Sequence, residues 1–464
     1  MTHRFEVSTA AGLDAHSISR MREMIRQDDD FQDLKQIFND GFGHIRIPID
    51  PVALGLFENS LTPDLVPGNA PIFGPLYEDI REAQEAGLMV ILDFHPVVIS
   101  AQNYSRRFTP PGTIPPGKEY TGRYLYHYLD GVGSPNHPLA KVWQSFVQGL
   151  DAYFVSQGAA LPTDTVVLEL LNEPYENLFT KDEANLSRHL PPHLIADDPT
   201  TGVIDMSHIG WRTVQMREFR NIMLHAARAV HNVNSAYRII VSQHLQLPYG
   251  PDNINLQPQH TAPYTGAEFP ELTKLIYAWH LYEPMKFTHV NRVDGPDEFL
   301  DYNYARDFTG TVLGNTYDCH YFLPGLEPAL VANNVIKTWS DNHNAQFGFY
   351  PQIVFTEFGA QIRSGTLFDD ADNDGPSGQA GPPLSRPLQR TQWYFDTRVF
   401  TEKIENSGWS AYEYIGDMSL YRGTFSNPAR MYHPSNYNLH GYRGELKQYI
   451  KQALFGVSRP TQAD

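Results

Sequence analysis

Residues 75–95 read PLYEDIREAQEAGLMVILDFH. Pro75–Ala86 has the period of a helix, and Gly87 follows it as a C-terminal stop signal. Leu88–His95 is then a run of strand length, apolar enough to be buried on both faces, that ends on a polar residue. A helix followed at once by such a strand is half of a repeating β/α unit. Working outward, the same pattern recurs. His44–Pro48, Thr165–Asn172, Arg238–Ser242, Leu275–His280, Gln352–Glu357 and Gly408–Tyr414 read as further strands. Lys141–Ser156, Trp211–His231, Glu327–His343, Pro387–Asn406 and Tyr442–Phe455 read as helices.

Repeated β-then-α units imply parallel strands joined by crossover helices. Seven strands are plain, and an eighth, first in the chain, is expected within Phe5–Ala10. A doubly wound open sheet would carry a glycine-rich phosphate turn after an early strand. None is present, so the expected fold class is α/β, a (β/α)8 TIM barrel. No linker or low-complexity stretch divides the 464 residues. One catalytic barrel domain is expected over 1–464, with long βα-loop insertions near 96–137, 174–210 and 284–324. In a barrel, loops that follow strands build the active face.

Composition narrows the partners. The formal net charge is −18, with no basic run to offset it, which argues against nucleic acid and anionic membrane surfaces. Cys319 is the single cysteine, so no intrachain disulfide can form. The N-terminal segment lacks the apolar core of a secretory leader, and no run is long enough to span a bilayer. A soluble chain is expected, either a secreted mature form or a cytoplasmic protein. Residues 370–375, DADNDG, match the start of a calcium loop, but its twelfth position is Gly381 instead of a bidentate Glu. Neither a metal nor another cofactor is expected.

The polar residues at strand ends carry the chemistry. Arg46 ends the second strand of the barrel, His95 the third, and Asn172 with Glu173 the fourth. His280 and Tyr282 follow the sixth, Glu357 ends the seventh, and Tyr412 lies in the eighth. Singly, each is a solvated or salt-bridged side chain. Together, at successive strand ends, they converge on one face of a barrel. Glu173 and Glu357 form a carboxylate pair of the kind glycoside hydrolysis requires, one protonating the leaving oxygen and the other attacking the anomeric carbon or activating water. Arg46 is placed to keep Glu357 ionised. Tyr282 could donate a hydrogen bond to Glu357, and Asn172 could bind a sugar 2-hydroxyl.

Six stretches resemble glycoside hydrolase family 5, the large cellulase family of retaining barrels. They are GFGHIRIP (41–48), ILDFHP (91–96), LELLNEP (168–174), WHLYEP (279–284), TEFG (356–359) and GWSAYEY (408–414). The resemblance implies that Glu173 is the proton donor and Glu357 the nucleophile of a retaining β-glycosidase. Arg46, His95, Asn172, His280 and Tyr282 match the family's other active-site positions. Tyr412 departs from the family's subsite Trp, and Trp409 lies three residues earlier. The WHLYEPMKFTH stretch looks most like the cellulase branch, which implies endo-β-1,4-glucanase-like action on a β-linked polysaccharide or oligosaccharide. A β-mannanase, a xyloglucanase or a β-glucosidase fits the same motifs. Outside this chemistry stand a non-catalytic polysaccharide-binding barrel and a metal-dependent hydrolase. The latter is disfavoured because no assigned strand holds His-x-His.

Overall fold

The computed structural model describes residues 31–49, 73–94, 138–172, 209–242, 262–281, 310–312, 315–317, 335–360, 386–411, 420–422, 445–446 and 448–461. Seven strands form one parallel sheet: β1 (His44–Ile49), β2 (Met89–Phe94), β3 (Val166–Glu169), β4 (Arg238–Ser242), β5 (Leu275–His280), β6 (Gln352–Phe358) and β7 (Ser407–Ala411). Neighbours in the sheet are neighbours in sequence, with no reversal of order. A doubly wound sheet reverses at its switch point, so this order is a barrel's.

Closure follows from distance. Strands stand about 4.8 Å apart, so β1 and β7 of an open sheet would be separated by roughly 29 Å. Instead His44 Nε2 on β1 and Ser410 Oγ on β7 are hydrogen-bonded at 2.6 Å. Phe42, just before β1, meets Trp409 of β7 edge-on, with ring centroids 6.4 Å apart. The further strand expected within Phe5–Ala10 lies outside the described residues.

Alternation along the strands separates two apolar sets. Ile91, Val167, Ile240, Ile276, Ala278 and Val354 form a cluster of their own, the barrel interior. The alternate residues, among them Val90, Leu168, Val241, Tyr277 and Phe355, join the larger core beneath the helices. Those helices are α1 (Phe31–Asn39), α2 (Phe73–Glu85), α3 (Pro138–Ser156), α4 (Ile209–Val233), α5 (Val335–Phe347), α6 (Arg386–Glu402) and α7 (Gln448–Phe455). In α2 the buried residues include Phe73, Leu76, Ile80 and Ala83, a stripe at helical spacing. Gly87 ends α2 with φ at 88°, and the Leu88 N–H donates to the Ala83 carbonyl at 2.8 Å. A side chain there would sit in the strained left-handed region and meet the Phe38 ring at 3.0 Å.

The expected helices are present with shifted ends, and one difference is larger. Of the helix expected over Glu327–His343, residues 327–334 lie outside the described residues, and Val335–Phe347 is helical. The helix expected over Tyr442–Phe455 begins only at Gln448. Upstream of it Glu445–Leu446 pairs antiparallel with Tyr421–Arg422. The second small ladder joins Gly310–Val312 to Asn315–Tyr317, inside the expected 284–324 insertion. Among the described residues no helix is long and apolar enough to cross a membrane.

Candidate active site

The strand ends carry a buried polar cluster centred on Arg46. Its Nε donates to Glu169 Oε2 at 2.6 Å and its Nη2 to Glu169 Oε1 at 3.0 Å. Nη2 also reaches Asn172 Oδ1 at 2.8 Å and Asp93 Oδ2 at 2.8 Å. Nη1 donates to Glu357 Oε1 at 2.5 Å, and His280 Nδ1 lies 3.4 Å from Glu357 Oε2. One guanidinium thus binds three carboxylates that come from strands β2, β3 and β6.

Parity explains most of this. Arg46, Asp93, Glu169 and His280 continue the inward face of their strands, each two residues beyond His44, Ile91, Val167 and Ala278. Asp93 and Glu169 are direct register partners across β2 and β3. Glu357 needs a further device. Strict alternation from inward Val354 would send Glu357 outward with Phe355. The register shifts instead, so that Trp279 pairs with Phe355 but His280 pairs with Glu357. Pairing with β7 skips in the same place, from Phe355 to Phe358. Thr356 is the extra residue of a β-bulge, and the bulge re-aims Glu357 into the barrel. Phe358 returns to the outer face against Trp393, Tyr394 and Trp409.

Backbone contacts fix the segment after β3. Leu170 N–H donates to the Ile240 carbonyl at 3.1 Å and Asn172 N–H to the Phe94 carbonyl at 2.9 Å. Trp143 Nε1 donates to the Leu170 carbonyl at 2.9 Å from α3. Across the barrel, Leu281 N–H donates to the Glu357 carbonyl at 2.9 Å. These bonds hold Asn172 and Glu357 on opposite sides of the Arg46 guanidinium.

Burial makes the cluster electrostatically tense. Asp93 is fully buried, and Glu169 is 1% and Glu357 4% exposed. Burial opposes the Arg46 charge, but Asp93, Glu169 and Glu357 together raise its pKa well above the usual guanidinium value. It stays a cation. Burial is the main force pushing the Glu169 carboxyl up; Arg46 pulls it down, neighbouring Asp93 adds to the push, and the net direction is upward. Burial, with Arg46 behind it, lowers His44 to about 4, so this histidine meets Ser410 as the neutral imidazole.

Of the residues expected at the site, Arg46, Asn172, His280 and Glu357 come together as described. His95, Glu173, Tyr282 and Tyr412 lie outside the described residues, as does the 370–375 loop. Asp93 and Glu169 belong to the site and were not expected there. Their signal was a carboxylate inside an otherwise apolar strand, at inward parity. Among the described residues no group of three His, Cys, Asp or Glu side chains is arranged to hold a metal ion.

No family model matches the chain, and no curated protein does. Solved structures do. The endoglucanase Cel5A of Thermotoga maritima is 16% identical with a TM-score of 0.48, over 92% of this chain and 89% of that one. A family 5 xyloglucanase of Paenibacillus pabuli is 13% identical with a TM-score of 0.47, over 91% and 88%. A glycoside hydrolase 5 lichenase of Caldicellulosiruptor sp. F32 is 13% identical with a TM-score of 0.45, over 91% and 82%. The chain resembles these barrels, but at such identities and scores its fold rests on its own strand order and closure.

Proposed function

We propose that the chain is a retaining β-glycoside hydrolase of the family 5 type, endo-β-1,4-glucanase-like, built as one barrel with long βα loops. The observation that carries this reading is Glu357, turned inward by a bulge and gripped by Arg46 and His280 at a barrel strand end. A carboxylate so held is fixed in place within a buried site, which suits a nucleophile. Asn172, on the far side of the same guanidinium, is followed directly by Glu173.

In the first step Glu173 protonates the glycosidic oxygen while Glu357 Oε attacks the anomeric carbon. The bond to the leaving sugar breaks and a covalent glycosyl ester forms. In the second, Glu173 takes a proton from water, the water oxygen attacks the same carbon, and Glu357 leaves as carboxylate. Asn172 accepts from Arg46 through Oδ1, which orients its amide N–H groups for the sugar 2-hydroxyl. His95, Tyr282 and Tyr412 complete the substrate-binding set, with Tyr412 offering a smaller stacking face than an indole.

A reducing-sugar screen over barley β-glucan, carboxymethylcellulose, glucomannan, xyloglucan and cello-oligosaccharides tests the reading. Release is expected from β-glucan and carboxymethylcellulose, and it should survive exhaustive chelation. Release only from glucomannan, xyloglucan or short oligosaccharides would move the assignment to a mannanase, xyloglucanase or β-glucosidase. Binding to these glycans without hydrolysis of any would defeat it.

A further inference from the structure

A guanidinium carries its N–H donors in one rigid plane. Among the described residues, Glu169 is the one partner that meets two nitrogens of Arg46, Nε at 2.6 Å through Oε2 and Nη2 at 3.0 Å through Oε1. Asn172 and Asp93 each reach Nη2 alone, and Glu357 reaches Nη1 alone. A contact to one nitrogen leaves the plane free to turn about it. Two bonds along one edge fix both its tilt and its direction. Nη1 lies away from that edge, so the clasp by Glu169 decides where Nη1 points. It points at Glu357 Oε1, 2.5 Å away.

Glu169 is 1% exposed, too deep to touch a substrate. It stands on β3, two strands from Arg46 on β1. Both of its oxygens bond to Arg46, and among the described residues its side chain reaches Glu357 only through that guanidinium. We propose that Glu169 is a positioning residue for the nucleophile. Its two-point clasp aims Arg46 Nη1 at Glu357 Oε1 and so sets the angle at which Glu357 approaches the anomeric carbon. This role presupposes Glu357 as the nucleophile. Attack geometry is steep, and a displacement of about 1 Å costs on the order of a hundred-fold in rate.

Glu169→Gln tests this in the full chain with 2-deoxy-2-fluoro-β-cellobiosyl fluoride, which passes its sugar to the nucleophile as an ester and releases fluoride. Gln keeps one acceptor, but its amide N–H group would face an N–H of Arg46, so the guanidinium must turn. The first-order labelling rate should fall about a hundred-fold, while the half-saturating concentration stays within about two-fold of wild type. In the variant's crystal structure Arg46 Nη1 should lie beyond hydrogen-bond reach of Glu357 Oε1. Glu169→Asp keeps the charge but withdraws both oxygens by one methylene, so it should slow labelling in the same way, and it stands in if Glu169→Gln folds poorly. Wild-type labelling at Glu357 that both variants match overturns the proposal alone. So does a loss seen in half-saturation instead of rate, or a variant that keeps the Nη1–Oε1 bond. Wild-type labelling at another residue, or none, defeats the nucleophile reading and this role of Glu169 with it.

Discussion

Replacing Glu357 with alanine is expected to cut turnover on every cleaved substrate by on the order of a million-fold, the scale of losing a covalent nucleophile. Azide should restore part of it and give the α-glycosyl azide. The small anion enters from the face Glu357 vacates, and the product then inverts once instead of twice. Glu173→Ala should behave differently. Aryl glycosides with good leaving groups need little acid help, so their glycosylation should persist. Azide then replaces water in the second step and yields the β-glycosyl azide. Product anomers read by NMR separate the two carboxylates, and the reverse pairing would mean that their roles are exchanged.

Arg46→Leu is expected to destabilise the fold by about 3–5 kcal/mol at pH 7, because it strips the cation from buried carboxylates. The loss should depend on pH with a defined sign. Without Arg46 the buried Glu169 carboxyl loses the cation that pulls it down, so its folded-state affinity for protons rises further above that of the unfolded chain. A carboxyl in that state stabilises the fold at low pH and loses the contribution as pH rises through its folded value. Denaturant melts at pH 5 and pH 8 should therefore show the variant closer to wild type at pH 5. Activity should fall even at pH 5, where the fold is intact, because Glu357 loses the Arg46 contact that positions it. Equal destabilisation at both pH values would mean that the three carboxylates do not depend on Arg46.

The barrel was legible because apolar runs of strand length end in polar residues at regular intervals, and helices separate them. Leu88–His95 and Gln352–Glu357 needed no tertiary knowledge to be read as buried parallel strands. Arg46, Asn172, His280 and Glu357 were legible for the same reason, as strand-end polar residues that a closed sheet must gather. Asp93 and Glu169 were missed because each lies within an apolar run and reads as part of a strand. What they contact is decided by register across β2 and β3, which no single run contains. The Thr356 bulge was also invisible. Alternation counted from Val354 points Glu357 away from the barrel, and only pairing with β5 and β7 shows the skip. Glu445–Leu446 was read as helix because the 442–455 segment is helical in pattern, whereas its ladder depends on Tyr421–Arg422, more than twenty residues upstream.

As nucleophile and acid/base, Glu357 and Glu173 are expected about 5–5.5 Å apart, the spacing of retaining enzymes. Proton NMR of the anomeric signals in the first minutes of hydrolysis tests this pairing most directly. Two displacements at one carbon predict that the β-anomer appears first and that the α-anomer grows only by mutarotation. Initial release of the α-anomer would contradict the account, because it requires a single displacement by water and leaves Glu357 as a base instead of a nucleophile.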